Sequence, residues 1–166
     1  MQKSLLIFGA GGYGRVVYEL ARATGDFDPI AFLDDAKTDA IGALADYAAL
    51  RGQFDCAFVA IGDPRLRLSW MERAEQVGYA LPALIHPKAW VCPSARIGRG
   101  CAVEPMAVVN ASAVVEKGTL LCPGSVVNHD AHIMPGCQID CNAVVASGAT
   151  VPEKTKVPSC TVFEKK

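Results

Sequence analysis

A six-residue repeat occupies the second half of the chain and restricts its fold more than any other feature. Every sixth residue from Ile85 to Phe163 is apolar, and no step leaves this register. Four residues after each of these positions comes a small residue, from Ala89 to Thr161. Two registers kept this long predict a parallel β-solenoid, in which each repeat supplies a short strand and a turn and three repeats close one triangular coil. The apolar residue points inward, and the small residue lies inward near a corner.

The first half of the chain follows another pattern, in which short apolar strands alternate with amphipathic helices. The predicted elements are strands over residues 4–8, 30–33 and 56–61, a helix over 13–24 ended by Gly25, and a helix with Asp63 as N-cap and Pro64 as its first residue. The apolar faces of the helices are expected to comprise Val16, Val17, Leu20 and Ala21 in the first, and Leu66, Trp70, Met71, Ala74 and Val77 in the second. This alternation predicts a parallel sheet. We therefore expect a Rossmann-like α/β domain over residues 1–84, an all-β solenoid over 85–163 and a tail over 164–166.

Composition and charge exclude several classes of protein. The 166 residues are 51% hydrophobic and 20% charged, which is too apolar for a disordered chain. The formal net charge of −1 provides no basic field for nucleic acid. The apolar stretch near the N-terminus is too short for a signal peptide or a membrane span. We expect no nucleic-acid partner and no membrane insertion.

The seven cysteines are an odd set without a C-x-x-C motif. This usage predicts reduced cysteines that act as small hydrophobic residues in a cytoplasmic protein, with Cys101 and Cys137 in the small inward column. The nearest approach to a metal-ligand cluster is formed by Cys137, Cys141 and His132. We predict no metal site.

A glycine-rich turn links the first predicted strand to the first helix. Gly9, Gly11 and Gly14 match G-x-G-x-x-G, and Asp34 follows Gly14 by 20 residues. Such glycines let the backbone approach a phosphate at the start of the helix, and the acidic residue accepts a hydrogen bond from a ribose hydroxyl. Two other interpretations stay open: a tight strand-to-helix turn without a ligand, and an NAD site, although no second mononucleotide-binding half follows.

Taken together, the repeat and five motifs resemble the bacterial nucleotide-sugar acetyltransferases of the sialic acid O-acetyltransferase and bacillosamine (UDP-amino-sugar N-acetyltransferase) type. The motifs lie at residues 9–14, 32–35, 60–63, 84–87 and 127–130. The resemblance implies a left-handed β-helix, a homotrimer, and acetyl-CoA as acyl donor in the groove between adjacent helices. It also implies that the N-terminal domain holds a UDP-linked amino sugar, whose amino group is acetylated in a glycan biosynthesis pathway. Two alternatives stay open: O-acetylation of a sialic acid or other glycan hydroxyl, and a shortened, weakly active or inactive relative that acts as a nucleotide-sugar-binding trimer.

The resemblance also suggests roles for individual residues. His129, turned outward near a corner by the register, is expected to be the general base, with Asp130 orienting its imidazole. The expected substrate-binding residues are Gly9, Gly11, Gly12, Tyr13, Gly14, Asp34, Asp35, Gly62, Asp63 and Arg67. Tyr13 stands where the family usually has His, and a solvated helix face is the alternative for Arg67. His132 is expected at the surface or an interface, and His86 in a capping or packing role.

The acyl donor is expected to contact Gln138, Ser147 and Gly148. Family members generally continue for about two coils beyond the position of Val151, so the chain resembles a C-terminally shortened member. Such a member is expected to bind the adenine end of CoA more weakly. Four lysines are expected either to meet the CoA phosphates or to form a solvated cluster: Lys154, Lys156, Lys165 and Lys166. Outward valines invite lateral packing of copies: Val108, Val114, Val126 and Val144.

Overall fold

A computed structural model describes residues 2–164, and the chain divides into two compact units between Pro82 and Ala83. The first unit contains a three-stranded parallel sheet with strand order β2-β1-β3. Its elements are β1 (Lys3–Phe8), α1 (Gly12–Thr24), β2 (Phe27–Leu33), β3 (Cys56–Val59), α2 (Pro64–Gln76) and two 3₁₀ turns at Leu44–Tyr47 and Ala49–Gly52. Phe8 pairs with both Leu33 and Val59, so the carboxyl ends of all three strands meet at one edge of the sheet.

The predicted helix ends are confirmed. Gly25 ends α1 with φ 75° and donates its N–H to the carbonyl of Arg22. The Asp63 side chain begins α2 by accepting hydrogen bonds from the N–H groups of Arg65 and Leu66. Strand β2 begins three residues before the predicted start, at Phe27, because an edge strand tolerates Pro29.

The predicted apolar faces of the helices are wrong at one position each. Val16 is 41% exposed, while α1 packs through Gly14, Val17 and its last turns. Leu66 is 55% exposed, and the adjacent Arg67 is buried in its place. In both helices the difference lies in the first turns, where the loop at the carboxyl edge of the sheet determines which residues face inward.

The second unit is a parallel β-solenoid of about four turns, which confirms the fold predicted from the repeat. Within residues 83–164, fourteen two-residue strands are found, numbered β4 to β17. In chain order they are Leu84–Ile85, Trp90–Val91, Arg96–Ile97, Ala102–Val103, Val108–Val109, Val114–Val115, Leu120–Leu121, Val126–Val127, His132–Ile133, Gln138–Ile139, Val144–Val145, Thr150–Val151, Lys156–Val157 and Val162–Phe163. Every third strand pairs, which builds three sheets: sheet I (β4, β7, β10, β13, β16), sheet II (β5, β8, β11, β14, β17) and sheet III (β6, β9, β12, β15).

Both predicted inward columns form the core of the solenoid. From Val103 to Val157 the second residue of each strand is at most 2% exposed, and the small residues from Cys101 to Ala149 are at most 1% exposed. Ile85 in the first coil is 38% exposed, because that coil has a neighbouring coil on one side only. The inward prediction therefore holds for the central repeats.

The corners share a backbone feature that the repeat did not predict. Every sixth residue from Gly100 to Cys160 has a left-handed conformation with φ between 56° and 72°. Several of these residues carry side chains, which raises the conformational energy of the turn: Met106, Ser112, Asp130, Asn142, Lys154 and Cys160. Main-chain hydrogen bonds between coils hold the turns; Asp130 N–H, for example, donates to the Ala111 carbonyl at 3.0 Å.

Neither helix in residues 2–164 combines the length and the apolar character that a bilayer span requires.

Candidate active site

The glycine loop closes tightly on itself at the end of β1. A Cβ atom on Gly14 would lie 2.0 Å from the carbonyl oxygen of Gly9, so only glycine fits where α1 packs on the loop. Gly9 has φ 105°, and a Cβ there would lie 3.1 Å from the Ala60 carbonyl oxygen, which brings the loops after β1 and β3 together. No atom would lie within 4 Å of a Cβ on Gly11 or Gly12, so the start of α1 stays open to a ligand.

Asp34 ties the loop after β2 to the glycine loop. Its Oδ2 accepts from Ala10 N–H at 2.8 Å, and its Oδ1 accepts from Ala36 N–H at 2.9 Å and from Lys37 N–H at 3.1 Å. These backbone donors, Ala10 foremost, lower the pKa of Asp34. The neighbouring Asp35 accepts from Leu44 N–H at 2.9 Å. Both carboxylates therefore organise the loop beside which a ribose hydroxyl is expected.

The side chain of Arg67 forms hydrogen bonds with the backbone of the loop after β3. It is 1% exposed, and its Nη1 donates to the carbonyls of Ile61 at 2.7 Å and Gly62 at 2.9 Å. The alternative of a solvated helix face is therefore wrong, and the buried guanidinium holds the backbone of the loop after β3. A Cβ atom built on Gly62 would meet no other atom within 4 Å. The next residue, Asp63, caps α2. Tyr13 lies in the first turn of α1.

The predicted substrate-binding residues thus lie in loops and first helical turns at the carboxyl edge of one parallel sheet. The chain passes from β1 to β2 on one side of the sheet and then from β2 back across β1 to β3 on the other side. The carboxyl edge between β1 and β3 is therefore a topological switch point, where open α/β sheets bind ligands.

His129 lies on the solenoid corner between β11 and β12, which we call the histidine corner (residues 128–130 and 146–148). Its Nδ1 lies 2.8 Å from Asp130 Oδ2, and the two side chains are 61% and 64% exposed. When the imidazole is neutral, Nδ1–H donates to the carboxylate, and Nε2 is then the ring atom able to accept a proton. Asp130 holds the left-handed corner position, with φ 59°.

The next coil places Ser147 and Gly148 at the same corner. Gly148 N–H donates to the carbonyl of His129 at 3.0 Å, so the two turns are stacked directly. Ser147 is exposed, and within residues 2–164 neither its N–H nor its hydroxyl has a hydrogen-bond partner. The structure therefore brings together the predicted base and two of the three residues predicted to contact the acyl donor.

Gln138 is not part of this group within one chain. It lies on sheet I, across the solenoid from the corner between sheets II and III. Its Nε2 donates to Asp140 Oδ1 at 3.3 Å and contacts Cys122 Sγ at 3.8 Å. Burial, reinforced by the Glu104 and Asp140 carboxylates, raises the pKa of Cys122 to about 12. A contact between Gln138 and the same acyl donor remains a prediction.

The other two histidines are engaged elsewhere. His132 Nε2 lies 2.5 Å from Glu116 Oε1 on sheet III, with 40% of the His132 side chain exposed, in agreement with a surface position. His86 Nδ1 accepts from Lys88 N–H at 3.0 Å, which confirms a capping role in the turn after β4.

The cysteines are all free, and four of them are buried: Cys56, Cys101, Cys122 and Cys137. The prediction of small hydrophobic residues is wrong for Cys141 and Cys160, which are exposed at turns. The Cys137 thiol donates to the Pro152 carbonyl at 3.0 Å, inside the core and apart from the exposed Cys141. Among residues 2–164, no three His, Cys, Asp or Glu side chains are grouped closely enough to hold a metal.

The lysines near the C-terminus are partly paired. Lys154 Nζ lies 3.0 Å from Glu153 Oε1, and Lys156 Nζ lies 3.2 Å from Asp140 Oδ2. Lys165 and Lys166 lie outside the described residues.

Two polar features were missed at the sequence level. Asn110 and Asn128 form a hydrogen bond between neighbouring coils. They are 18 residues apart, which is the length of one coil, so a comparison of the sequence coil by coil would have revealed the pair. A cleft of about 460 Å³ is lined by three basic residues together with Glu116 and apolar side chains, and two of the basic residues, Arg99 and Lys117, are also 18 residues apart.

Comparisons with known proteins agree with this geometry. Residues 4–74 match the PglD N-terminal domain family. The acetyltransferase domain of PglB from Neisseria gonorrhoeae FA1090, solved with acetyl coenzyme A, is 32% identical, with 99% of this chain and 89% of that chain covered and a TM-score of 0.80. PerB from Caulobacter crescentus, solved with CoA and GDP-perosamine, is 27% identical over 97% of this chain and 93% of its own, with a TM-score of 0.60.

A third structure, WeeI from Acinetobacter baumannii AYE, is 17% identical over 96% of this chain and 95% of its own, and its TM-score of 0.62 shows a shared fold. The identity to the PglB domain extends over nearly the whole of both chains, through the sheet and the solenoid alike. The chain therefore belongs to the sugar acetyltransferases of the left-handed β-helix type.

Proposed function

We propose that this protein transfers an acetyl group from acetyl-CoA to the amino group of a UDP-linked amino sugar. The observation that carries the proposal is the histidine corner, where an exposed imidazole with Nδ1 bound to a carboxylate lies one coil from Ser147 and Gly148. Further support comes from two relatives, the PglB domain bound to acetyl coenzyme A and PerB bound to CoA and GDP-perosamine.

His129 would act as the general base. As the sugar nitrogen forms its bond to the thioester carbonyl carbon, His129 Nε2 removes a proton from that nitrogen, and the Asp130 carboxylate stabilises the resulting imidazolium. The carbon–sulfur bond then breaks, and the same proton passes to the sulfur, so the products are an N-acetyl sugar and the CoA thiol. General base catalysis of this kind contributes about 10²- to 10⁴-fold to the rate.

The coil next to His129 offers a donor for the developing oxyanion. Ser147 is an exposed residue, and its N–H forms no main-chain hydrogen bond within the described residues. Gly148 is held by its bond to the His129 carbonyl, so the Ser147 amide is fixed relative to the base. Preorganised amide donors stabilise tetrahedral intermediates of acyl transfer.

The first unit would hold the nucleotide sugar. The open start of α1 at Gly11 and Gly12 suits a diphosphate, because backbone N–H groups and the helix dipole there favour anions. Asp34 and Asp35 border this position on the side of β2, and Arg67 keeps the loop after β3 in place.

The active form would be a homotrimer. Sheet II presents an apolar outward column, formed by Trp90, Val108, Val126, Val144 and Val162. Val114, the fourth outward valine expected to take part in lateral packing, lies on sheet III. Because Gln138 lies across the solenoid from His129, it would meet the acyl donor only if a second copy supplied it. Solution mass measurement is expected to give a trimer, and a monomer would contradict this assembly.

A substrate panel tests the proposed reaction. Purified protein is incubated with acetyl-CoA and UDP- or GDP-linked amino sugars, each paired with its hydroxyl analogue, and the products are identified by mass spectrometry. We expect acetylation of a UDP-linked amine and none of its hydroxyl analogue. Acetylation of hydroxyls alone would show an O-acetyltransferase. Absence of turnover together with absence of acetyl-CoA binding by calorimetry at millimolar levels would contradict an enzymatic role.

A further inference from the structure

Two asparagines form a short amide ladder at the histidine corner. Asn110 and Asn128 occupy the same outward position in consecutive coils, and Asn110 Nδ2 donates to Asn128 Oδ1 at 3.2 Å. The main chain of Asn128 is fixed as well, because its N–H donates to the Val145 carbonyl and its own carbonyl accepts from Ala131 N–H. The ladder therefore gives the Asn128 amide a defined orientation, with Oδ1 toward Asn110 and Nδ2 away from it.

The ladder stops at the coil that carries Ser147. The residue at the equivalent position in that coil is Ala146, which has no polar side-chain atom. Within residues 2–164 the bond to Asn110 is the only side-chain hydrogen bond of Asn128, so both Nδ2 donors lack a protein partner. These donors belong to the residue directly before His129, on the coil next to Ser147.

An oxygen acceptor fits this position better than the reacting nitrogen does. The sugar nitrogen attacks through its single lone pair, and a hydrogen bond to that pair would block the attack. A carbonyl oxygen has two lone pairs and gains negative charge as the attack proceeds, so amide donors favour it increasingly along the reaction.

From this geometry, and resting on the proposed function, we infer that Asn128 binds the acyl donor by donating from Nδ2 to one of its carbonyl oxygens. Two carbonyls share this chemistry: the thioester carbonyl and an amide carbonyl of the pantetheine arm. They differ in their kinetic consequences. A donor to the thioester oxygen acts mainly on kcat, because the bond strengthens in the transition state, whereas a donor to a pantetheine amide acts equally on ground and transition states and therefore on KM.

The test compares Asn128→Ala and the nearly isosteric Asn128→Asp with the matched control Asn110→Ala, which removes the ladder partner and leaves the Asn128 donors. Steady-state kinetics and calorimetry with CoA and with acetyl-CoA are measured for each variant, after circular dichroism and solution mass establish an unchanged fold. We expect both Asn128 variants to lower kcat/KM for acetyl-CoA by about tenfold or more, up to the 10²- to 10³-fold typical of a lost oxyanion donor. Asn110→Ala is expected to lose less than either Asn128 variant, because the Asn128 donors remain and only the bond that orients them is removed.

Each outcome decides a separate point. Loss in kcat with unchanged CoA affinity assigns Asn128 to the thioester carbonyl, and weaker binding of both CoA and acetyl-CoA assigns it to pantetheine. Wild-type kinetics and affinity in Asn128→Ala or Asn128→Asp overturn the inference while the proposed function stands, provided that the wild type turns over. An equal loss in Asn110→Ala also overturns it, since the ladder would then act only structurally. A wild type that binds no acetyl-CoA overturns the proposed function and this inference together.

Discussion

The carboxyl edge of the first unit and the histidine corner of the solenoid use their polar side chains in opposite ways. At the carboxyl edge, Asp34, Asp63 and Arg67 all form hydrogen bonds with the backbone of the loops and the helix start that make up this edge. At the histidine corner, main-chain bonds between stacked coils hold the turns, and His129 and Ser147 extend into solvent. A loop that occurs once needs side chains to fix it, whereas a repeated turn is fixed by its neighbours and leaves its side chains available for a ligand.

The largest effect is expected from a charge placed inside the repeat. Val151→Asp puts a carboxylate into a column where Val151 is 0% exposed, and an unpaired buried charge costs several kcal/mol. We expect loss of the solenoid's cooperative unfolding transition by circular dichroism. The control is Thr150→Asp on the exposed side of the same strand, which should unfold like the wild type. Equal tolerance of both substitutions would contradict the assigned register.

A smaller effect is expected in the glycine loop. Gly14→Ala forces a Cβ to within 2.0 Å of the Gly9 carbonyl oxygen, and overpacking of this kind costs about 1–3 kcal/mol. Gly12→Ala, where the built Cβ meets no atom within 4 Å, is the control and should be neutral or slightly stabilising in the helix. Denaturant titration measures both. A Gly14→Ala protein as stable as Gly12→Ala would show that the loop is not tightly closed.

Removal of a cap tests directly how the two regions use their side chains. Asp63→Ala deletes the acceptor for two N–H groups at the start of α2 and should cost about 1 kcal/mol of unfolding free energy. His129→Ala removes an exposed side chain and should change that free energy by less than about 0.5 kcal/mol. Thermal and denaturant unfolding compare them. A larger loss of stability in His129→Ala than in Asp63→Ala would reverse the proposed contrast.

The smallest effect is expected inside the small column. The Ser125 hydroxyl is buried and is without a hydrogen-bond partner in the described part of the chain. Ser125→Ala removes a desolvated polar group while keeping the side chain small, and should be neutral or stabilising by up to about 1 kcal/mol. Thr119→Ala is the comparison, since it also deletes a hydroxyl that donates to the Met134 carbonyl. Destabilisation by Ser125→Ala greater than that by Thr119→Ala would contradict this account.

Sequence reasoning predicted the solenoid well because each position of the six-residue repeat packs in the same way in every coil. Each position therefore keeps the same class of residue, apolar or small, along the chain. It placed His129 at an outward corner for the same reason. It did not predict the bond between Asn110 and Asn128, because contacts between coils follow a spacing of 18 residues rather than six. Nor did it predict left-handed corners at residues such as Asp130, since these turns are imposed by stacking and not by glycine.

In the first unit the elements were predictable and the orientation of their first turns was not. Glycine and proline signals marked the helix ends correctly. Leu66 was nevertheless expected on the buried face of α2, and a solvated face stayed open as the alternative for the adjacent Arg67. In the structure Leu66 is exposed and Arg67 is buried, because a carbonyl-rich loop attracts the guanidinium inward against its usual preference for solvent. Such exchanges depend on tertiary contacts that periodicity does not contain.

The central claim is that acyl transfer takes place at His129, and two histidines of the same solenoid test it. Both contact a carboxylate, but His132 does so through Nε2, whereas His129 does so through Nδ1 and keeps Nε2 available. The measurement is kcat for acetylation of the nucleotide-linked amino sugar by His129→Ala and by His132→Ala. We expect His129→Ala to lose about 10²- to 10⁴-fold in kcat with unchanged affinity for the nucleotide sugar, and His132→Ala to retain nearly wild-type turnover. Wild-type turnover in His129→Ala would contradict the claim.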